Sequence, residues 1–529
     1  MIQPDRFDHQ HSSSHNSNLF EYLSVDEYIN YNEEMEGFVI NDHIYEPFSP
    51  PFNEIVSQFT FPCENNNIFN SSLDCLEDLN IFEMEAEVRD WLAVDDDDHE
   101  TAIISSIKSS LILPTEDMEI ENQLGSNQLT EAYSEAIEKE HRVLAKVIAR
   151  RINEKVSPIG EARERLLYHS FHALDNKQLA DGGGYIKHES SKVFHAAFET
   201  IYRVLVNGMF AHSGANSAIL EAMPRDIEVL HVVDFDIGEG IQWSSLIVAL
   251  AQQHKLMQQH SFGLVSQQLS LKITSIKWKE EISMDSSQWR FEETKKRLQD
   301  YANIHGLKLK IEEIELQDLV KEIKMTTKKR SREFLAFNYM WALPHMGRRR
   351  STKKAMEFLN AAKVFLEENS HESTYGAMIT YGDGENLQRI IKSCSCFVLF
   401  FESYMKHYQA LLESMERSFP PRLAVARIAM ESLFVAPYVS SRALHDMWRE
   451  MKEIELSVWG DFDDHFQPGG FGLKVSSERL MEAKVMMMMM RSQGENLYSV
   501  KVEGENNNSN EMVLEWRETP LVRVSAWRS

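Results

Sequence analysis

The stretch HVVDFDIGEGIQW, residues 231–243, has the residue types of a cofactor loop. An apolar run ends in Asp234, Gly238 and Gly240 follow, and a helical pattern resumes at Ile241. Glycines at such a turn let backbone N–H groups approach a ligand, with a helix N-terminus beyond. That chemistry suits a nucleotide or S-adenosylmethionine. Laid over the S-adenosylmethionine pattern, Gly238 and Gly240 fall on the later glycine positions, and Asp236 stands where the first glycine makes the tight turn. A carboxylate there crowds an adenosyl group and adds negative charge. The ribose hydroxyls need an acid at the end of the second strand, and KITSIKW offers Lys277 instead. Two departures at two required positions predict no bound cofactor, and a glycine loop alone is weak evidence for one.

Other candidate chemistry is sparse. The 20 histidines are scattered, and none of His141, His169, His172 and His188 has metal-ligand spacing with a carboxylate. GDGEN, residues 382–386, reads as a turn rather than a metal loop. Cys63, Cys75, Cys394 and Cys396 form neither a disulfide framework nor a zinc site. Cys394 and Cys396 lie in an apolar run, which predicts buried reduced thiols.

The elements that must hold the loop follow from periodicity. From about residue 126 the pattern is helical. Ile137, Leu144, Ile148 and Ile152 are expected on one face, joined by Ala136, Val143 and Val147. Pro158 and Gly160 interrupt this run, and a second one holds Leu166, Leu167, Phe171 and Leu174. In the middle, EVLHVVDFD (228–236), LSLKITSIKW (269–278), LKLKIEEIEL (307–316), EFLAFNYMWAL (333–343) and TYGAMITYG (374–382) are strand candidates separated by helical stretches. Such alternation indicates βαβ units and a mostly parallel sheet. LYSVKVEG, EMVLEW and LVRVSAW near the end alternate apolar and polar residues, which predicts antiparallel strands at a sheet edge. The expected fold is α/β: a methyltransferase-like Rossmann sheet, mostly parallel, with antiparallel C-terminal strands and an N-terminal helical cap.

Charge separates a tail from this body. The chain has 529 residues and a formal net charge of −27, yet residues 1–125 hold 28 Asp+Glu against three Lys+Arg. The remainder is nearly neutral. Residues 1–125 are expected to be a disordered acidic tail, because like charges at this density repel and few apolar residues recur. Aromatic side chains among acids also suit an activation region. The N-terminus lacks a signal-peptide pattern, and no stretch nears the roughly 18 apolar residues that span a bilayer. Near-neutrality of the body argues against DNA binding through net field alone. Two basic clusters stand out: Lys328, Lys329, Arg330 and Arg332, then Arg348, Arg349, Arg350, Lys353 and Lys354. They read as loop solubility at the sheet rim, as a two-part nuclear import signal, or as a phosphate-contacting rim. The methionine run 486–490 reads as the packed end of an apolar helix, with a flexible contact surface as the alternative.

Several long motifs in one order resemble the plant GRAS family. FAHSGANSAILEAM (210–223) followed by HVVDFDIGEGIQW resembles its VHIID region, with Leu230, His231, Val232, Val233 and Asp234 as the motif itself. VSSERLMEAKVMM (475–487) and LEWRETPLVRVSAW (514–527) resemble its C-terminal SAW region, with Trp448, Trp459, Trp516, Ser525, Ala526 and Trp527. SYMKHYQALLESM (403–415) looks like the FY part of its PFYRE region, and Arg427 with Glu431 like the RE part, although Ile428 breaks the family's adjacent Arg-Glu. No DELLA sequence occurs in the tail. The form VVDFDIGEG looks most like the branch of the family that acts in symbiotic signalling. The resemblance implies a GRAS domain over 126–529, divided into a first leucine-rich region at 126–187, the VHIID region at 188–254, a second leucine-rich region at 255–310, a PFYRE-like region at 311–432 and the SAW region at 433–529. It further implies a non-enzymatic nuclear transcriptional regulator without a cofactor. Such a protein pairs with another GRAS protein through its first leucine-rich and VHIID regions, with Ile137, Leu144, Ile148 and Ile152 of the cap as the expected contacts. It recruits transcriptional coactivators through its tail and reaches promoter DNA directly or through its partner, with no membrane involved. Two other readings remain: a methyltransferase-like small-molecule binder or enzyme using the 234–243 loop, and a direct sequence-specific DNA-binding protein.

Overall fold

The computed structural model describes residues 125–172, 198, 200–203, 205–260, 269–278, 286–327, 332–346, 350–372, 376–386, 390, 393–419, 424–455, 471–489, 497–503 and 509–528. Expectations for residues 1–124, Trp459, Lys328, Lys329, Arg330, Arg348 and Arg349 lie outside the described residues.

The five parallel strands are β1 (Val229–Asp234), β2 (Ser270–Ile276), β3 (Lys308–Ile314), β4 (Glu333–Trp341) and β5 (Ala377–Asp383). Each falls inside its expected stretch or within one residue of it. β1, β4 and β5 are buried along their whole length, as strands covered on both faces must be. A two-residue strand, β6 (Phe471–Gly472), is too short to carry a periodic signal. β7 (Tyr498–Glu503), β8 (Glu511–Trp516) and β9 (Thr519–Arg528) are antiparallel to one another, as their alternation predicts. The sheet runs β3-β2-β1-β4-β5-β9-β8-β7, with β6 pairing β9. β9 is the antiparallel join, pairing Ile379 with Trp527 and Tyr381 with Ser525. The order reverses between β1 and β4, and α/β sheets bind ligands at the carboxyl ends of strands at such a point.

One face of the sheet packs Leu230, Val232, Leu271 and Ile273 against α4 (Val206–Ala222), α5 (Ile241–His260) and α6 (Ser286–Ile304). The other packs Val233, Leu335, Phe337 and Tyr339 against α7 (Leu319–Thr327) and α8 (Thr352–Glu372).

The cap begins with α1 (Ser126–Glu138), α2 (Arg142–Asn153) and α3 (Ala162–Phe171). One expectation fails here. Ile137 and Leu144 are not on one continuous helix, because Glu140 adopts φ 57 and breaks it. The chain folds back so that α1 and α2 pack on each other. Ile148 and Ile152 are core residues, Ile152 with no exposure, while Ile137 and Leu144 are partly buried against that core. The exposed apolar residues of α2 are Val143 and Val147, at 56% and 38%. Behind the cap stand α9 (Phe397–Ser418), α10 (Ala424–Phe434), α11 (Ala436–Val439) and α12 (Ser441–Glu455), and α13 (Ser477–Met489) follows. Met486 and Met487 of α13 are buried, whereas Met488 is exposed, so the methionine run is divided between core and surface.

Candidate functional site

β1 delivers Asp234 to the switch point, and the glycine loop turns directly after it. Gly238 has φ 52 and Gly240 φ 73, the left-handed region that favours glycine. Close packing demands them as well. A Cβ on Gly240 would lie 2.7 Å from Leu298 Cδ1 and 2.9 Å from Thr294 Cγ2, and one on Gly238 would lie 2.5 Å from Met346 Cε. The loop therefore gives its space to α6 and to the segment after β4. Its amides turn inward too. The Gly238 N–H donates to Asp236 Oδ1 at 3.3 Å, and the Gly240 N–H to the Ile237 carbonyl at 2.8 Å.

Asp236, the departure from the cofactor pattern, has its own partner. Arg350 Nε donates to Asp236 Oδ2 at 2.7 Å, and the guanidinium lies 4.6 Å from the Trp278 ring centroid. Lys354 Nζ stands 5.5 Å from the same ring, and Trp278 Nε1 donates to the Phe235 carbonyl at 2.8 Å. Arg297 holds Glu239 at 2.7 Å. Lys277, at the ribose-anchor position, lies 4.0 Å from Glu315. The groups that would cradle an adenosyl ligand are thus engaged with one another. Among the described residues, no group of three or more His, Cys, Asp or Glu could hold a metal ion.

Below the loop lies a buried polar network. Trp243 Nε1 and Asn338 Nδ2 donate to the two Asp234 oxygens at 2.7 and 3.0 Å. Gln242 bridges Asn338 to Asn216, and Thr380 donates to Asn338 Oδ1 at 2.9 Å. Burial pushes the Asp234 carboxyl up to about 7, against the lowering effect of its two donors. On the opposite face His231 bridges strands: Nδ1 lies 2.7 Å from Glu333 Oε1, and Nε2 lies 2.9 Å from Thr274 Oγ1. Burial holds His231 below its ordinary value. Both polar residues of the Leu230–Asp234 motif therefore tie strands together.

The RE-like pair joins sheet-side helices to the cap. Glu431 of α10 accepts from Arg165 Nε of α3 at 3.1 Å, and neither side chain is exposed. His169 Nε2 is 3.2 Å from Glu431 Oε2, and Arg427 Nε is 3.7 Å from Glu431 Oε1. Nothing in the sequence flags Arg165 or His169, because their partner lies 266 or 262 residues away. The FY-like tyrosines do the same for the turn after β5. Tyr404 and Tyr408 both donate to the buried Glu385, and the Glu385 N–H donates to Asp383 Oδ1 at 2.8 Å. Gly382 and Asp383 of GDGEN end β5, and the chain bends at Gly384 and Glu385, so only the second part of the segment is the expected turn.

In the C-terminal region, Ser525, Ala526 and Trp527 lie within β9 where it pairs β5. Trp516 packs edge-on against Tyr498, and Trp448 packs on Phe397 and Phe400. Of the basic residues, Lys353 is exposed, Arg332 lies 3.8 Å from Glu228, and Arg350 is committed to Asp236. Arg350 is thus drawn into the loop rather than turned outward to phosphate. The described Cys394 is buried and Cys396 half-buried, both as free thiols.

The model of the GRAS domain family matches residues 126–528. The chain is 27% identical over 416 residues to Protein NODULATION SIGNALING PATHWAY 2 of Medicago truncatula, covering 73% of this chain and 72% of that protein. It is 28% identical over 400 residues to the protein of the same name from Lotus japonicus, with the same coverage of each. Scarecrow-like protein 18 of Arabidopsis thaliana is 27% identical over 345 residues, covering 63% of this chain and 68% of that protein. The solved structure of SCL7 from Oryza sativa matches with 21% identity and a TM-score of 0.45, over 72% of this chain and 94% of that one. With a family match across the helical cap, the sheet and the C-terminal strands alike, this chain belongs to the GRAS family.

Proposed function

We propose that this chain is a non-enzymatic nuclear transcriptional regulator that acts paired with another GRAS protein in symbiotic signalling, nodulation or mycorrhizal. The observation that carries this reading is its likeness, over 73% of its length, to two proteins named for nodulation signalling. A second observation supports the non-enzymatic part. The loop amides and carboxylates that would serve a cofactor bind each other and Arg350. The acidic segment 1–125 recruits coactivators, and promoter DNA is reached directly or through the partner.

Pairing uses the outer face of α2. Val143 and Val147 are one turn apart and exposed, with Leu144 half-buried beside them. Ile148 and Ile152 support that face from inside. Val143→Asp with Val147→Asp is expected to weaken pairing at least tenfold, since charge at the centre of an apolar contact costs about 1–2 kcal/mol per residue. Co-purification with a GRAS partner checks this, with circular dichroism to show that the variant is folded. A folded variant that still co-purifies at wild-type yield excludes α2 as the interface.

A further inference from the structure

Residues 350–352 make contacts in two directions at consecutive positions. Arg350 reaches Asp236 in the glycine loop and stacks on Trp278. Ser351 stands directly before α8, its Oγ 3.4 Å from Glu450 Oε1, and the Thr352 N–H donates to Glu450 Oε2 at 2.8 Å. A carboxylate from α12 therefore occupies the N-terminus of α8, where unpaired amides and the helix dipole favour an anion. The sequence supplies a second, independent feature. Arg348, Arg349 and Arg350 immediately precede Ser351. Cations two and three residues before a hydroxyl form a charge pattern that a protein kinase with acidic substrate subsites reads. Thr352 has the same arginines nearby, but it is only 1% exposed, whereas Ser351 is half-buried.

We propose that Ser351 is a phosphorylation site, and that phosphate there takes the place of Glu450 at the N-terminus of α8 and so releases α12. In the transfer, Ser351 Oγ bonds to the γ-phosphorus of ATP. The bond from that phosphorus to its bridging oxygen breaks, ADP leaves with the electron pair, and the hydroxyl proton passes to the base of the kinase. The product carries a charge of about −1.5 to −2. Tethered to the residue before the helix, it reaches the Thr352 amide without leaving its own backbone. Glu450 then faces a like charge at a distance where it formerly accepted hydrogen bonds. Arg350, the adjoining residue, is drawn from Asp236 toward the new anion. The consequence is directional: α8 keeps a capped N-terminus, while α12 and the glycine loop each lose one anchor. α12 carries Trp448, whose ring lies 5.2 Å from that of Phe400, so its release loosens the C-terminal region from α9.

The test uses the full-length chain, the catalytic subunit of an arginine-directed kinase and magnesium ATP. Sites are read by mass spectrometry, and backbone opening by hydrogen exchange. Phosphate is expected on Ser351 and not on Thr352, with exchange about tenfold faster across 441–455 and unchanged or slower at 353–355. Ser351→Ala, treated alike, keeps the unmodified exchange pattern. Glu450→Gln retains a neutral acceptor without the repelling charge, so its phosphorylation accelerates 441–455 less than threefold. The proposal is overturned by an unmodified Ser351, by a phosphorylated Ser351 with unchanged exchange in α12, or by equal acceleration in Glu450→Gln.

Discussion

Arg165 and Glu431 meet with no exposure on either side chain, which makes their pairing a matter of need rather than of surplus stability. A buried pair gains little over apolar packing, but breaking it strands a charge, at a cost of about 3–5 kcal/mol. Glu431→Gln is therefore expected to lower unfolding stability by up to roughly that amount, because Arg165 keeps its charge, loses its fully buried counter-ion and is left with only the half-exposed Glu416 at 3.3 Å. Chemical denaturation followed by circular dichroism measures it, and a midpoint within error of wild type would contradict the assignment. Asp234 makes a different prediction. Its carboxyl is raised to about 7 in the folded chain, so the fold binds its proton more tightly than the unfolded chain does. The resulting stabilisation is complete below about pH 4 and is lost as pH rises through about 7. Acidification from pH 8 to pH 5 should stabilise wild type relative to Asp234→Asn by a few kcal/mol, each tenfold gain in proton affinity contributing about 1.4 kcal/mol. A pH-independent difference in thermal midpoints between the two proteins would refute it.

Helices and strands are legible in the sequence to the degree that their signals are local. Apolar runs mark β1, β4 and β5, because strands covered on both faces need continuous apolar sequence, whereas the edge strand β3, KLKIEEI, is marked by alternation instead. The break at Glu140 is hidden, since neither Gly nor Pro occurs between α1 and α2, and periodicity carries across the gap. Ile148 and Ile152 turn out to be buried in the core rather than open on the cap surface for a related reason: an apolar face states that it is covered, not by what. The departures of Asp236 and Lys277 from a cofactor pattern are visible, while the Arg350 and Trp278 that engage or flank them are not, being brought there by tertiary folding. The glycine loop also yields a matched comparison. Gly240 and Gly306 share φ 73, but a Cβ on Gly306 meets nothing within 4 Å. Gly306→Ala should cost about 1 kcal/mol from backbone strain alone, and Gly240→Ala about 2–3 kcal/mol, because Leu298 and Thr294 must also move. Equal midpoint shifts for the two would mean that the loop is looser than its packing against α6 implies.

Across the whole molecule, the ties run between layers. Glu431 binds the cap to α10, and Glu385 binds the turn after β5 to α9. Arg523 lies 2.7 Å from both Glu503 and Glu511, joining β9 to β7 and β8. Asp236 and Arg350 join the switch point to the start of α8. A doubly wound sheet offers a ligand site at that switch point by construction, and here the position is taken by the chain's own side chains. This leaves the sheet as a frame that holds the cap and its outer α2 face, the face proposed above for pairing, in place. Isothermal titration of S-adenosylmethionine into the purified full-length chain tests the claim most directly. The account predicts no saturable heat up to millimolar ligand, and a saturable one-site isotherm in the micromolar range would contradict it.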